Sequence, residues 1–164
     1  MSQVYCKDTR AVHEGYVFPR DLNNSQMQFG GRTLEVLDAN AGMAVVKYLP
    51  GVNFVTASYD RVHFYSPISQ QTIYKCVSYV TGATTKSVEV FTKFVTQDKD
   101  SGDKQVAFTA FCSLVITDQL AEVPDIVPES SEETYICKGF GVRLEERISE
   151  LKQSKADLQH LSYE

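Results

Sequence analysis

The chain has 164 residues, of which 43% are hydrophobic and 23% charged, with a net charge of −5. That is the composition of one ordinary globular domain, and it excludes disordered, collagen-like and low-complexity chains. No apolar run reaches the roughly 18 residues of a membrane helix, and no apolar core of a secretory signal follows Met1, so the expectation is a cytoplasmic protein with no membrane partner.

In chain order, residues 1–19 are irregular in pattern, punctuated by Gly15 and Pro19, with room for a short strand within 12–18. Residues 21–31, DLNNSQMQFGG, are rich in loop formers and close on a glycine pair. From Arg32 to Leu49 the period becomes helical: Leu34, Leu37, Ala41, Val45 and Tyr48 recur at steps of three and four, and Pro50-Gly51 ends the run. Ala39, Ala41, Gly42 and Ala44 make the middle of this helix slim, which suits a helix cradled by a sheet. Four segments rich in β-branched and aromatic residues follow, at 52–65, 71–81, 86–97 and 104–117, each read as a long strand. SPISQ, TGATT and DKDSGD separate them as turns, so they form an antiparallel meander. The expected fold is α+β, one helix packed on one face of a long antiparallel sheet.

The acidity of the chain is local. Residues 118–164 hold 11 acids and 5 bases, while residues 1–117 hold 10 acids and 11 bases, so the body is close to neutral and the tail carries the charge. Neither part shows the basic stripe of a nucleic-acid binder. Residues 118–141, with Pro124 and Pro128, read as a linker. Helical spacing returns over 142–161 through Leu144, Ile148, Leu151, Leu158 and Leu161, an amphipathic helix expected to pack on its own or a neighbouring subunit. The expected division is a body over 1–118 and a tail over 119–164.

Cys6, Cys76, Cys112 and Cys137 are widely spaced, as are His13, His63 and His160. Spacing of that kind fits reduced thiols rather than a zinc site, and no metal is expected. Three features can carry chemistry. Asp38 lies on or beside the apolar face of the helix, where a carboxylate either pairs with a neighbour or serves as a general base. Phe29-Gly30-Gly31 precedes the helix, and glycines beside a helix N-terminus allow a ligand to approach unpaired N–H groups that stabilise an oxyanion. Asn23, with Asn24 beside it, either caps its own turn or donates to a carbonyl or a water.

Together these residues resemble the bacterial hotdog-fold acyl-CoA thioester hydrolases: a loop Asn, then Phe-Gly-Gly opening a helix, then an Asp followed by small residues. Asn23, Phe29, Gly30, Gly31 and Asp38 fall on that pattern in order. Residues 55–68 resemble the next strand of the family, with Thr56, Phe64 and Pro67 at matching places. Residues 81–94 resemble the turn and strand after it, through Ser87-Val88-Glu89-Val90. Two positions depart from the pattern. Gln26 stands where the family has a glycine, and the turn before Ser87 lacks an arginine, with Lys86 nearby.

The resemblance covers residues 9–118 and implies a long antiparallel sheet wrapped around a central helix. It also implies subunits joined edge to edge as dimers, further assembly as a trimer of dimers, and active sites at the dimer interface. It implies hydrolysis of acyl-CoA without a cofactor, CoA being part of the substrate. Asp38 would be general base or nucleophile, Asn23 would orient water or thioester, and the amides of Gly30 and Gly31 would polarise the carbonyl. Thr56 would bond near the reacting centre. Arg61, Lys86, Ser87 and Lys93 are candidates for CoA, and Met27 and Phe29 for the acyl pocket. Two other readings stand beside this one. A hydratase or dehydratase of the same fold would need a catalytic His near the helix, and a binding module would hold acyl-CoA without turnover and would need no Asp38.

Overall fold

The computed structural model describes residues 2–162; positions 1, 163 and 164 lie outside the described residues. In chain order the elements are β1 (Gln3–Tyr5), α1 (Cys6–Thr9), β2 (Ala11–Tyr16), α2 (Gly30–Tyr48), β3 (Phe54–Phe64), β4 (Ile73–Ala83), β5 (Ser87–Gln97), β6 (Lys104–Ile116), β7 (Asp125–Val127), α3 (Ser131–Lys138) and α4 (Phe140–Asp157). β2, β4, β5, β6 and β3 pair in that order as one antiparallel sheet. All four long strands and the helix stand where the sequence period changes. The short strand at the N-terminal side is β2.

Alternation along the strands divides the core into two layers. On the inner face Cys76, Val80, Val88, Val90, Phe94, Phe108, Cys112 and Leu114 pack against Leu37, Ala41, Ala44 and Val45 of α2. Ala41 and Ala44 are fully buried, so the slim middle of the helix is where the sheet comes closest. Asn40, also buried, donates from Nδ2 to the Ser78 hydroxyl at 2.8 Å and to the Ala11 carbonyl at 3.2 Å, tying helix to sheet. The outer face carries a smaller cluster of Cys6, Tyr79, Phe91 and Phe111, closed by Ile126, Ile136 and Cys137.

Two expectations change. The helix begins at Gly30, so the glycine pair forms its first turn instead of preceding it; Phe29 takes the extended cap conformation. Residues 118–141 do not run as a structureless linker. β7 pairs in parallel with β1, and α3 starts on a capping box in which the Ser130 side chain accepts from the Glu133 amide and the Glu133 carboxylate accepts from the Ser130 amide. Both pieces lean on the N-terminal residues, a pairing across more than a hundred positions that local composition does not report.

The expected C-terminal helix is α4, and it is anchored to the sheet by its arginines. Arg143 and Arg147 point into the outer face of the sheet, while Ile148, Leu151, Leu158 and Leu161 are exposed and Leu144 is half-buried. The cause is a buried carboxylate. Glu89 of β5 accepts from Arg143 through both oxygens, at 3.0 and 2.7 Å, and from the Thr81 hydroxyl at 2.6 Å. Arg147 reaches the same Glu89 and lies 2.5 Å from Asp60 of β3. A charge on the strand, invisible to helical periodicity, thus anchors α4 to the sheet.

Candidate active site

The site grows from the first turn of α2. No side chain caps this helix, and the Phe29 carbonyl accepts from Arg32 N and Thr33 N at 2.9 and 3.3 Å. The first N–H groups of a helix have no intrahelical partner, so those of Gly30 and Gly31 point outward at the positive end of a 19-residue helix. A Cβ on Gly31 would run into the Phe29 ring at 2.6 Å, and one on Gly30 would meet Phe64 at 3.6 Å. Beside this turn lies a cavity of about 190 Å³ lined by Met27, Gln28, Thr33, Phe64 and Ile68 among others. Gln28 Oε1 and Thr33 Oγ1 are buried there without a protein partner.

Asp38 stands about two turns further along the helix, exposed in the single chain rather than partly buried as its position on the helix face suggests. Its Oδ1 accepts two hydrogen bonds, from Thr56 Oγ1 at 2.7 Å and from the Tyr59 hydroxyl at 2.5 Å. Thr56, which the resemblance implies bonds near the reacting centre, is thus a donor to Asp38. Tyr59 was not read from sequence, and strict alternation explains why: residues three apart on a strand face opposite ways. The register shows a bulge, with Thr56 opposite Leu114 but Ser58 opposite Ser113, so Ala57 is an extra residue and Tyr59 returns to the inner face opposite Cys112. Burial, together with the Asp38 carboxylate beside it, pushes the Tyr59 hydroxyl well above its ordinary value, so it stays a donor. Burial and the nearby Asp38 also push the Cys112 thiol up to about 12.

β3 is the end strand of the sheet, and its free edge carries exposed Val55, Val62 and Phe64. The side of α2 that the sheet leaves uncovered shows Met43 and Val46, each 53% exposed. Asp38, Thr56 and Tyr59 lie between these two uncovered surfaces.

Asn23 lies in the loop before α2. Its Oδ1 accepts from Ser25 N and Met27 N at 2.9 and 3.1 Å, which shapes the turn and leaves Nδ2 to donate. Among the described residues no hydrogen bond joins it to Asp38. Gln26, at the departure from the family glycine, adopts φ 61°, a conformation that disfavours a β-carbon by about 1–2 kcal/mol. Gln26→Gly is expected to raise stability by about 1 kcal/mol, read as a melting-temperature gain of about 2–4 °C.

The candidates for CoA separate from Asp38. Ser87 and Lys93 lie on the outer face, and Lys93 pairs with Glu132. Arg61, at a second bulge with φ 50°, bonds Glu146 of α4 at 2.6 Å. Lys86, in the β4–β5 turn, is exposed and has no ion-pair partner among the described residues. Its carbonyl accepts from Ile116 N, which places it just beyond the row of Thr56, Leu114 and Val88. His63 bonds the Arg61 carbonyl, and His13 sits on β2, the opposite end of the sheet from β3. Among the described residues no group of three or more His, Cys, Asp or Glu can hold a metal ion, and no helix is long and apolar enough to cross a membrane.

No protein-family model matches the chain. Individual relatives do. The chain is 34% identical over 155 residues to the uncharacterized acyl-CoA thioester hydrolase YkhA of Bacillus subtilis, spanning 93% of this chain and 90% of that one. Among solved structures, an acyl-CoA hydrolase from Bacillus cereus superposes with a TM-score of 0.92 at 28% identity, covering 99% of this chain and all of the other. The acyl-CoA hydrolase of Staphylococcus aureus, solved in complex with butyryl-CoA, CoA and CoA disulfide, superposes with a TM-score of 0.89 at 27% identity over 96% of this chain and 98% of that one. It has also been solved with an Asp, a Thr and an Asn each replaced by alanine. The helix-in-sheet architecture and the near end-to-end identity to YkhA agree: the chain belongs to the acyl-CoA thioester hydrolases, in their hotdog-fold form.

Proposed function

We propose that the protein hydrolyses acyl-CoA thioesters to CoA and a carboxylic acid, with Asp38 as its acid–base or nucleophilic centre. The observation that carries this reading is the Asp38 carboxylate, held through Oδ1 by Thr56 and Tyr59, with no partner at Oδ2 among the described residues. The S. aureus hydrolase supports it. The Asn and the Asp replaced there stand fifteen positions apart, as Asn23 and Asp38 do here.

In this reading the thioester carbonyl lies against the N–H groups of Gly30 and Gly31, which stabilise the oxyanion that forms when the carbonyl carbon is attacked. Oδ2 of Asp38 either takes a proton from the attacking water or attacks the carbon itself, giving an anhydride that water then opens. Collapse expels the CoA thiolate, a good leaving group. Asn23 of a second subunit donates from Nδ2 to the water or the carbonyl. The acyl group enters the cavity beside Met27 and Phe64, past Phe29, and Lys86 and Ser87 meet the CoA moiety. Arg61 and Lys93 do so only by exchanging their glutamate partners for phosphate. The free edge of β3 and the uncovered side of α2 are the surfaces that a second copy would cover, making a dimer that can assemble further in the cytoplasm.

The test is turnover by the purified full-length chain on acyl-CoA esters from short to long, followed by loss of thioester absorbance. Multi-turnover hydrolysis is expected. Tight binding of the same esters without product would overturn the enzyme reading in favour of a binding module, and hydration of an enoyl thioester would favour a hydratase. Tyr59→Phe should lower kcat about 10- to 100-fold with KM little changed, because it removes one hydrogen bond to a charged carboxylate. An unchanged kcat would take Tyr59 out of the site.

A further inference from the structure

Cys6 and Cys137 are 131 positions apart in sequence, yet their Sγ atoms lie 3.6 Å apart. We infer that they form a dithiol that a low-molecular-weight disulfide oxidises to an intramolecular disulfide, linking α1 to α3 on the outer face of the sheet.

The two thiols are set differently. Cys6 is completely buried at the start of α1, whereas Cys137 is half-buried in the last turn of α3. The contact between the two thiols holds the Cys137 thiol below its ordinary value, with Arg143 adding in the same direction. The same contact, and then burial, push Cys6 up. Cys137 is thus the attacking sulfur and Cys6 the resolving one.

The step balances as two exchanges. The Cys137 thiolate attacks one sulfur of the small disulfide, forming a mixed disulfide and releasing one small thiolate. Cys6 then loses its proton and attacks Cys137 Sγ, forming the protein disulfide and releasing the second small thiol. The protein loses two hydrogens and the small disulfide gains them.

The neighbouring chain holds the two cysteines side by side. Tyr5 pairs opposite Val127 in the β1–β7 ladder, and Lys7 bonds Glu129 at 2.9 Å. Cys76 and Cys112 do not compete. Both are fully buried on the inner face, and burial pushes each up to about 12. Asp38 lies on that inner side, so the modification site is separate from the proposed catalytic residues. Its mechanical reach is α4: the Ile136 carbonyl beside Cys137 accepts from Arg143 at 2.9 Å, the residue that anchors α4 to Glu89.

The experiment treats reduced full-length protein with glutathione disulfide, blocks free thiols, and reads the intact mass, a non-reducing peptide map and the melting temperature. The expected product has lost two hydrogens, carries no glutathione, joins the Cys6 and Cys137 peptides, and melts about 5 °C or more above the reduced protein. A reductant reverses all three changes. Cys6→Ser should stop at the mixed disulfide on Cys137, and Cys137→Ser should remain unmodified. A bridge between any other pair, a wild-type adduct that never resolves, or no reaction in the folded protein would overturn the inference. None of these readouts depends on acyl-CoA turnover.

Discussion

Asp38→Asn is expected to lower kcat for acyl-CoA hydrolysis by a factor of about 10² to 10⁴, the range for loss of a general acid–base group, and to leave the fold intact. The substitution is a close test because it keeps the shape and the hydrogen bonds. An Asn carbonyl at this position still accepts from Thr56 and Tyr59, as Asp38 Oδ1 does. What it loses is the free carboxylate oxygen that takes a proton or attacks carbon. The residue is exposed in the chain and has no ion-pair partner among the described residues, so the change in melting temperature should stay within about 2 °C. CoA affinity should hold as well, because no contact assigned to CoA runs through Asp38. Full activity in a folded Asp38→Asn protein would remove Asp38 from the chemistry. A single turnover in ¹⁸O-labelled water separates its two possible roles. Label in the Asp38 carboxylate, placed there when water opens the anhydride at the Asp38 carbonyl, identifies a nucleophile, whereas a general base leaves label only in the released acid.

Glu89→Ala should be the most destabilising single change on the outer face. Its side chain is fully buried and accepts from two arginines and Thr81. Removing it leaves Arg143, itself 6% exposed, as a buried cation without its counter-charge. Breaking a buried pair in this way costs about 3–5 kcal/mol, which for a chain of this length lowers the melting temperature by about 6–20 °C. Thermal or denaturant unfolding of the variant checks it. Arg143→Met in the Glu89→Ala background should recover part of the loss, since both charges are then gone, and the two changes should be strongly non-additive. A drop of under 2 °C for Glu89→Ala would mean that α4 does not depend on this carboxylate for its docking.

The two sites differ in how far they can be read from residues alone. Periodicity located α2 and the four long strands, because burial on one helix face or on the faces of a pleated sheet imposes a repeat on neighbouring residues. The ordered motif of Asn23, Phe29-Gly30-Gly31 and Asp38 pointed to the candidate site, since its parts are close in sequence and belong to one loop and one helix. Thr56 comes from the resemblance alone, and its bond to Asp38 joins segments eighteen positions apart.

Tyr59 escaped notice because one extra residue, Ala57, inverts the strand's alternation, and a bulge leaves no mark on composition. What anchors α4 is hidden for a similar reason: its leucines follow the helical repeat, but Arg143 and Arg147 meet the buried Glu89, more than fifty positions earlier. β7 and α3 were hidden in what reads as a linker because their partners are β1 and α1 at the other end of the chain. What the sequence by itself determined is the local order of helix and strands and the residue types of the reacting centre. Only the tertiary structure decided which distant groups meet, because strand register, the bulge at Ala57 and the charge on Glu89 act between segments that are neighbours in space and not along the chain.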